Sequence, residues 1–375
     1  MKIISNFDSG NIEVVKADNP EDIQLMIRHD TKSDFMQWFH FRMDGVCGFP
    51  CKISIINADK ASYPEGWTGY RAVASYDLKN WFRVPTYYNN KVLQIVHMPE
   101  HNSVFYAYFA PFSYHQHLEL IHKAQLNSQI VLEYLGQTVE GRNIDLLIAG
   151  ENTGTKPKIW LTARQHPGET MSEWFMQGLI ERLSDSSDPI SRILINNALF
   201  YIVPNMNVDG SVHGNLRTNA AGYNLNRAWL DPDPQTTPEV YYVRRKMMDT
   251  GVDLFLDIHG DEALPYCFVT SNAGIPSFSK RLAILEKEFR KIWKQISPDF
   301  QDEFGYETAK PGEAKMDIGS KWVGENFDCL SLTVEMPFKD NNNLQDSIFG
   351  WSPERSKHLG ASLLNVIFQL YKNLR

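Results

Sequence analysis

His166 and Glu169 place one imidazole and one carboxylate three positions apart, within Ala163-Arg164-Gln165-His166-Pro167-Gly168-Glu169-Thr170. An apolar β-type run, Lys158-Ile159-Trp160-Leu161-Thr162, leads into them, and a helical pattern with Trp174, Phe175, Leu179, Ile180 and Leu183 apolar follows. The pair thus sits where a buried strand stops and a helix starts, a common place for chemistry in α/β proteins. Nitrogen and oxygen donors at that spacing suit zinc, which often leaves a fourth position open for catalysis. Alone, the same spacing also fits a helix-start Glu beside a surface His, because the helix dipole favours a carboxylate there.

Further residues of the right types lie at or after other strands. His259 follows the apolar run Leu254-Phe255-Leu256 and Asp257-Ile258. With His166 and Glu169 it makes two imidazoles and one carboxylate, a three-ligand zinc set with a position left for water. Asp257 either holds a ligand nitrogen from behind or makes an ordinary strand-end contact. Glu335 interrupts the apolar strand Thr333-Val334-Glu335-Met336. A buried carboxylate without partners is costly, so it faces a cavity or a cation. It is either half of a structural salt bridge or a general base beside activated water. One Gly-rich loop holds Asn215-Leu216-Arg217-Thr218-Asn219 and Asn224-Leu225-Asn226-Arg227. Arg suits forked contact with a carboxylate or stabilisation of an oxyanion. Simple solvent exposure is the alternative.

The elements that must carry these residues divide the chain. At 375 residues two domains are expected. Up to about residue 110, short β-branched and aromatic runs (12–15, 23–27, 38–43, 51–56, 92–97 and 104–109) alternate with turn clusters, which predicts an antiparallel sandwich. A short helical pattern over 115–127 follows, whose His115, His117 and His122 are expected to form a polar helix face. From Ile130 strands alternate with helices, which predicts a mostly parallel or mixed sheet covered on both faces. A net charge of -8 opposes a broad nucleic-acid surface. No run reaches membrane-spanning length and the start lacks a signal-peptide core, so the cytoplasm is the expected compartment. Four Cys in a chain this long do not make a disulfide scaffold, and Cys47 and Cys51 are expected to be structural. Nucleotide-binding Gly motifs and Gly-x-Ser-x-Gly are absent.

The turn His166-Pro167-Gly168-Glu169, the loop Arg217…Asn226-Arg227, the strand-end His259 and Glu335, in that order, resemble the zinc metallocarboxypeptidases. More closely they resemble a bacterial-sized member of the cytosolic carboxypeptidase subfamily. Phe7-Asp8-Ser9-Gly10-Asn11, Gln37-Trp38-Phe39-His40-Phe41-Arg42 and Tyr106-Ala107-Tyr108-Phe109-Ala110-Pro111 are similar to that subfamily's β-sandwich. The resemblance covers nearly the whole chain. It implies an N-terminal antiparallel β-sandwich (1–114), a connecting helix (115–129) and an α/β carboxypeptidase-like domain with a mixed, mostly parallel sheet and helices on both faces (130–375).

The same resemblance implies His166, Glu169 and His259 as ligands of one Zn²⁺ per chain. Asn226 and Arg227 would clamp the substrate's terminal carboxylate and Arg217 would polarise the scissile carbonyl. Glu335 would serve as general base and then as proton donor to the leaving amine. The implied reaction removes the C-terminal residue of a peptide or protein, with no nucleic-acid or membrane partner. A zinc amidohydrolase of small N-acyl amino acids, or a non-catalytic binder of C-terminal tails, is the rival reading. Tyr306 lies upstream of Glu335, but its flanking residues do not identify it as the family's active-site Tyr. Eukaryotic relatives remove glutamates with a basic pocket residue. Lys310-Pro311-Gly312-Glu313-Ala314-Lys315 does not reproduce their Gly-rich Arg motif, so the preferred terminal residue is left open.

Overall fold

The computed structural model describes residues 1–374. The first ten strands are β1 (Lys2–Ile4), β2 (Glu13–Lys16), β3 (Ile23–Met26), β4 (His40–Asp44), β5 (Cys51–Ile55), β6 (Val73–Ser75), β7 (Trp81–Arg83), β8 (Thr86–Tyr88), β9 (Leu93–His97) and β10 (Ser103–Ala107). They form two five-stranded sheets, ordered β1-β4-β10-β6-β7 and β2-β3-β5-β9-β8. Alternation drives the packing: Cys51, Ile53 and Ile55 of β5 and Leu93 and Ile95 of β9 turn inward, and they share one apolar cluster with Phe41, Met43, Val104 and Tyr106 of the other sheet. His97 Nδ1 meets the Tyr106 hydroxyl at 2.8 Å between the sheets. The pairing is antiparallel except at β3 and β5, which run parallel. Strands β6, β7 and β8 span three residues each, too short for a periodic pattern to show in the sequence.

The rest of the chain runs α1 (Tyr114–Ala124), β11 (Ile130–Gln137), β12 (Asn143–Ala149), β13 (Lys158–Ala163), α2 (Met171–Ser184), α3 (Pro189–Asn197), β14 (Leu199–Val203), α4 (Val208–His213), α5 (Pro238–Thr250), β15 (Leu254–Ile258), β16 (Phe268–Thr270), α6 (Lys280–Ile296), α7 (Gly319–Phe327), β17 (Leu330–Glu335) and α8 (Pro353–Leu370). Its seven strands form one mixed sheet, β11-β12-β14-β13-β15-β17-β16. The four central strands β14, β13, β15 and β17 are mutually parallel, and antiparallel pairs extend both edges. Both faces are buried. Ile159, Leu161, Leu254 and Leu256 join the cluster under α2 and α8, while Trp160, Tyr201 and Phe255 join the one under α5 and α7. Burying each such side chain contributes roughly 1.5–3 kcal/mol. The first cluster runs on into the sandwich, where Tyr108 stacks on Phe338 at 4.4 Å. No helix among the described residues is long and apolar enough to cross a membrane.

Helix α1 begins on a Ser113–Gln116 capping box and packs on α2. His115 and His122 are exposed, but His117 departs from the expected polar face. It is 1% exposed, with Nδ1 on Glu173 Oε1 at 2.7 Å and Nε2 on Asp145 Oδ2 at 3.2 Å. Glu173 also binds Arg164 Nη1 at 2.6 Å, so one buried network ties the connecting helix to the strand end before His166. A long-range partner of this kind leaves no local spacing to read. Burial disfavours the imidazolium, but Glu173 and Asp145 outweigh it and push His117 up to about 9 from 6.5. A raised folded pKa stabilises the fold fully below the unfolded value and loses that contribution as pH rises through the folded one. Denaturant unfolding should therefore show stability falling between about pH 6.5 and pH 9, a slope that His117→Ala lacks. Removing the cation from buried carboxylates should also cost about 3–5 kcal/mol at neutral pH. An unchanged slope in the variant contradicts this assignment.

Candidate metal centre and active site

Strands β13, β15 and β17 are adjacent and parallel, and their C-terminal ends deliver the chemistry. His166 lies three residues beyond β13, His259 directly follows β15, and Glu335 closes β17. Ligand sites in open α/β sheets form at such strand ends. The turn from β13 to α2 is held by its own groups. Arg164, at φ 57°, is 1% exposed and its Nε donates to Pro167 O at 3.0 Å. Gly168 N donates to Leu216 O at 2.8 Å, and a Cβ on Gly168 would stand only 2.9 Å from that oxygen. Only glycine lets the turn press so closely on the Arg217 loop.

One ligand atom each from His166, Glu169 and His259 falls within 4.8 Å of the others, and all three residues are buried. His166 Nδ1 is 2.6 Å from Glu169 Oε1, and His259 Nδ1 is 2.8 Å from Glu169 Oε2 and 3.2 Å from His166 Nδ1. The outer ring nitrogens set the tautomers. His166 Nε2 donates to Asn224 Oδ1 at 3.0 Å, and His259 Nε2 sits 2.9 Å from Asp257 Oδ2. Asp257 is itself held by Thr162 at 2.8 Å and Gln165 at 2.5 Å, and Trp229 donates to Gln165 at 2.9 Å. Both Nδ1 atoms are thereby turned inward beside a carboxylate. Two nitrogens and an oxygen so placed fit a zinc-type cation.

Electrostatics follow the same geometry. Burial and the Arg217 charge hold His166 down at about 4, the neutral form a metal ligand needs. Burial works against a charged His259, but Asp257 and Glu169 raise it. Burial also works against the Glu169 carboxylate, which His166 and His259 nevertheless hold below the usual range. Glu335 is pushed up, chiefly by burial and further by Glu169, and its buried Oε2 has no hydrogen-bond partner in the protein.

A cavity of about 350 Å³ opens over these groups. It gathers the ligand, clamp and base candidates His166, Glu169, Arg217, Asn226, Arg227, His259 and Glu335. Asn226 is pinned, its Oδ1 accepting from Gly319 N at 2.9 Å. Arg227 Nη1 donates to Asn226 O at 2.6 Å. Tyr306 lines the cavity too, its hydroxyl bonded to Asp261. The Lys310–Lys315 stretch supplies no cavity cation. Lys321 does, from the first turn of α7, donating to Ser271 O. Burial lowers its pKa to about 8. Tyr63 and Glu65 bring the sandwich to the cavity wall, which no spacing in the sequence announced.

A mixed α/β sheet with such a donor cluster at its strand ends defines a metallohydrolase. Residues 117–357 match the zinc carboxypeptidase family, and residues 3–109 match the cytosolic carboxypeptidase N-terminal domain. The chain belongs to the zinc carboxypeptidases and is a peptidase of their cytosolic branch in domain content. It is 32% identical to mouse (Mus musculus) cytosolic carboxypeptidase 6 over 88% of this chain, and spans 65% of that relative's length. A metallo-carboxypeptidase from Burkholderia cenocepacia superposes with a TM-score of 0.96 at 49% identity, covering 98% of each chain. The Pseudomonas aeruginosa metallo-carboxypeptidase, solved with (2-guanidinoethylmercapto)succinic acid, gives 0.97 at 44% identity over 100% of each chain.

Proposed function

We propose that this cavity removes the C-terminal residue of peptides or proteins, with His166, Glu169 and His259 holding one zinc ion per chain. The observation that carries the reading is the pair of inward-turned Nδ1 atoms around Glu169, beside a carboxylate at Glu335 with an unpartnered oxygen. When bound, zinc supplies Lewis acidity that brings the pKa of water to about 7. Glu335, whose Oε2 has no other partner, accepts the proton of the attacking water and later returns it to the leaving amine. Arg217 donates to the scissile carbonyl oxygen as charge builds there. Arg227, with Asn226, binds the terminal carboxylate through its planar fork. The Pseudomonas relative's bound compound is a succinic acid, which supports a site that recognises carboxylates. By likeness to relatives named cytosolic, the compartment is the cytoplasm.

Two experiments probe the reading. Purified protein should hold one zinc per chain by elemental analysis, and His166→Ala, Glu169→Ala and His259→Ala should each be depleted. Glu335→Gln should keep the metal and lose about 10²–10⁴ in kcat. Near-normal turnover in metal-loaded Glu335→Gln rules out the base.

Specificity follows from Lys321. It stands with Thr270, Ser271, Ser320 and Thr333 in the cavity wall, a polar surround with one amine. That lining suits an acidic C-terminal side chain. On N-benzoylated dipeptides, Lys321→Met should lower kcat/KM for C-terminal Glu about tenfold or more, with C-terminal Ala little changed, since hydrogen bonds to charged groups contribute about 1.5–3 kcal/mol. Equal losses on both substrates contradict the assignment.

A further inference from the structure

The loop carrying Arg217 is fixed from the β-sandwich. The backbone N–H groups of Leu216, Arg217 and Thr218 converge on the Asp30 carboxylate. Leu216 N donates to Oδ1 at 2.6 Å, Arg217 N and Thr218 N donate to Oδ2 at 2.7 and 3.0 Å, and the Thr218 hydroxyl donates to Oδ2 at 3.1 Å. Successive N–H groups of this kind form an anion-binding concavity. Here the anion is a side chain, 4% exposed, from the other half of the chain.

Asp30 is held in turn. Its N–H donates to Phe35 O at 2.7 Å, and Ser33 N donates to Asp30 O at 3.2 Å, so residues 30–35 close a tight loop. Thr31 next to it donates to Asn215 Oδ1 from both N–H and hydroxyl, at 3.0 and 3.1 Å. The same loop supplies a ring to the guanidinium itself. Arg217 Cζ lies 5.6 Å from the Phe35 centroid and 5.4 Å from that of Tyr63, both sandwich residues. Backbone and side chain of Arg217 are therefore both set by one domain that carries none of the proposed metal ligands. A domain contact made only for docking has no reason to centre on this arginine.

We propose that Asp30 is the positioning residue for Arg217, so that the β-sandwich completes the active site. The inference rests on Arg217 acting at the scissile carbonyl. Asp30→Asn keeps size but sets an amide N–H₂ against N–H donors, leaving at least one of them unpaired. Oxyanion stabilisation depends on donor position, and a misplacement of about 1 Å costs on the order of 10²-fold.

The test is a double-mutant cycle on the full chain, with an N-benzoylated dipeptide that the wild type cleaves. Asp30→Asn should lower kcat about tenfold to hundredfold, with KM within about twofold and zinc content unchanged. In an Arg217→Ala background the same change should cost nothing further, because it acts through the missing guanidinium. A full, additive loss in that background, or an unchanged kcat in Asp30→Asn, overturns the proposal. Should Asp30→Asn fail to fold, Thr31→Val carries the cycle: a smaller kcat loss that vanishes without Arg217 supports the proposal, and an additive one overturns it. Wild-type kcat in Arg217→Ala alone would instead remove the role given to Arg217, an outcome separable because it appears in the single variant.

Discussion

Two imidazole nitrogens stand 3.2 Å apart against one buried carboxylate, and the rest of the architecture serves to make that possible. Left alone, converging lone pairs and a negative charge in a water-poor site are unfavourable. They are tolerated because each ring is turned by an acceptor behind it, Asn224 for His166 and Asp257 for His259. Asp257 is anchored by Thr162 and by Gln165, which Trp229 holds in turn, so orientation is passed outward to the sheet and its covering cluster. A cation complements them, and zinc carboxypeptidase membership points to zinc as one that fits.

Parallel β13, β15 and β17 solve the placement problem, since adjacent strand ends bring His166, His259 and Glu335, far apart in the chain, onto one edge. The turn at His166 then needs help, and it receives it from three directions. Arg164 closes the turn from within, Glu173 and His117 brace it through the connecting helix, and Leu216 presses on Gly168 from the Arg217 loop. The sandwich reaches the same loop through Asp30. The two halves of the molecule thus meet at the candidate site, with the stacked Tyr108 and Phe338 extending the contact as apolar packing.

What the sequence made legible follows from how local each signal is. β-Branched and aromatic runs between turn clusters exposed the longer strands, and a strand stop followed by a helical pattern exposed His166 and Glu169. Glu335 stood out because a charge in an apolar strand needs a reason. His117 misled because its partners Asp145 and Glu173 lie 28 and 56 residues away. Asp30 and Lys321 were invisible for the same cause: Asp30 acts across 186 residues or more, and Lys321 reaches the cavity only once α7 is placed. The short strands β6–β8 lack the length for a pattern, and the parallel β3–β5 pair depends on tertiary register rather than local turns.

An exopeptidase differs from an endopeptidase or an amidohydrolase of internal bonds by what it asks of the substrate's end. The proposed clamp of Arg227 and Asn226 requires a carboxylate, and a site built around such a bond rejects analogues that lack it by up to about 10⁴–10⁵. The most direct measurement compares one peptide in two forms, free acid and C-terminal amide, as kcat/KM with zinc-loaded protein. If that clamp operates, the acid is cleaved readily and the amide at least about a hundredfold more slowly. Comparable rates for the two would contradict it.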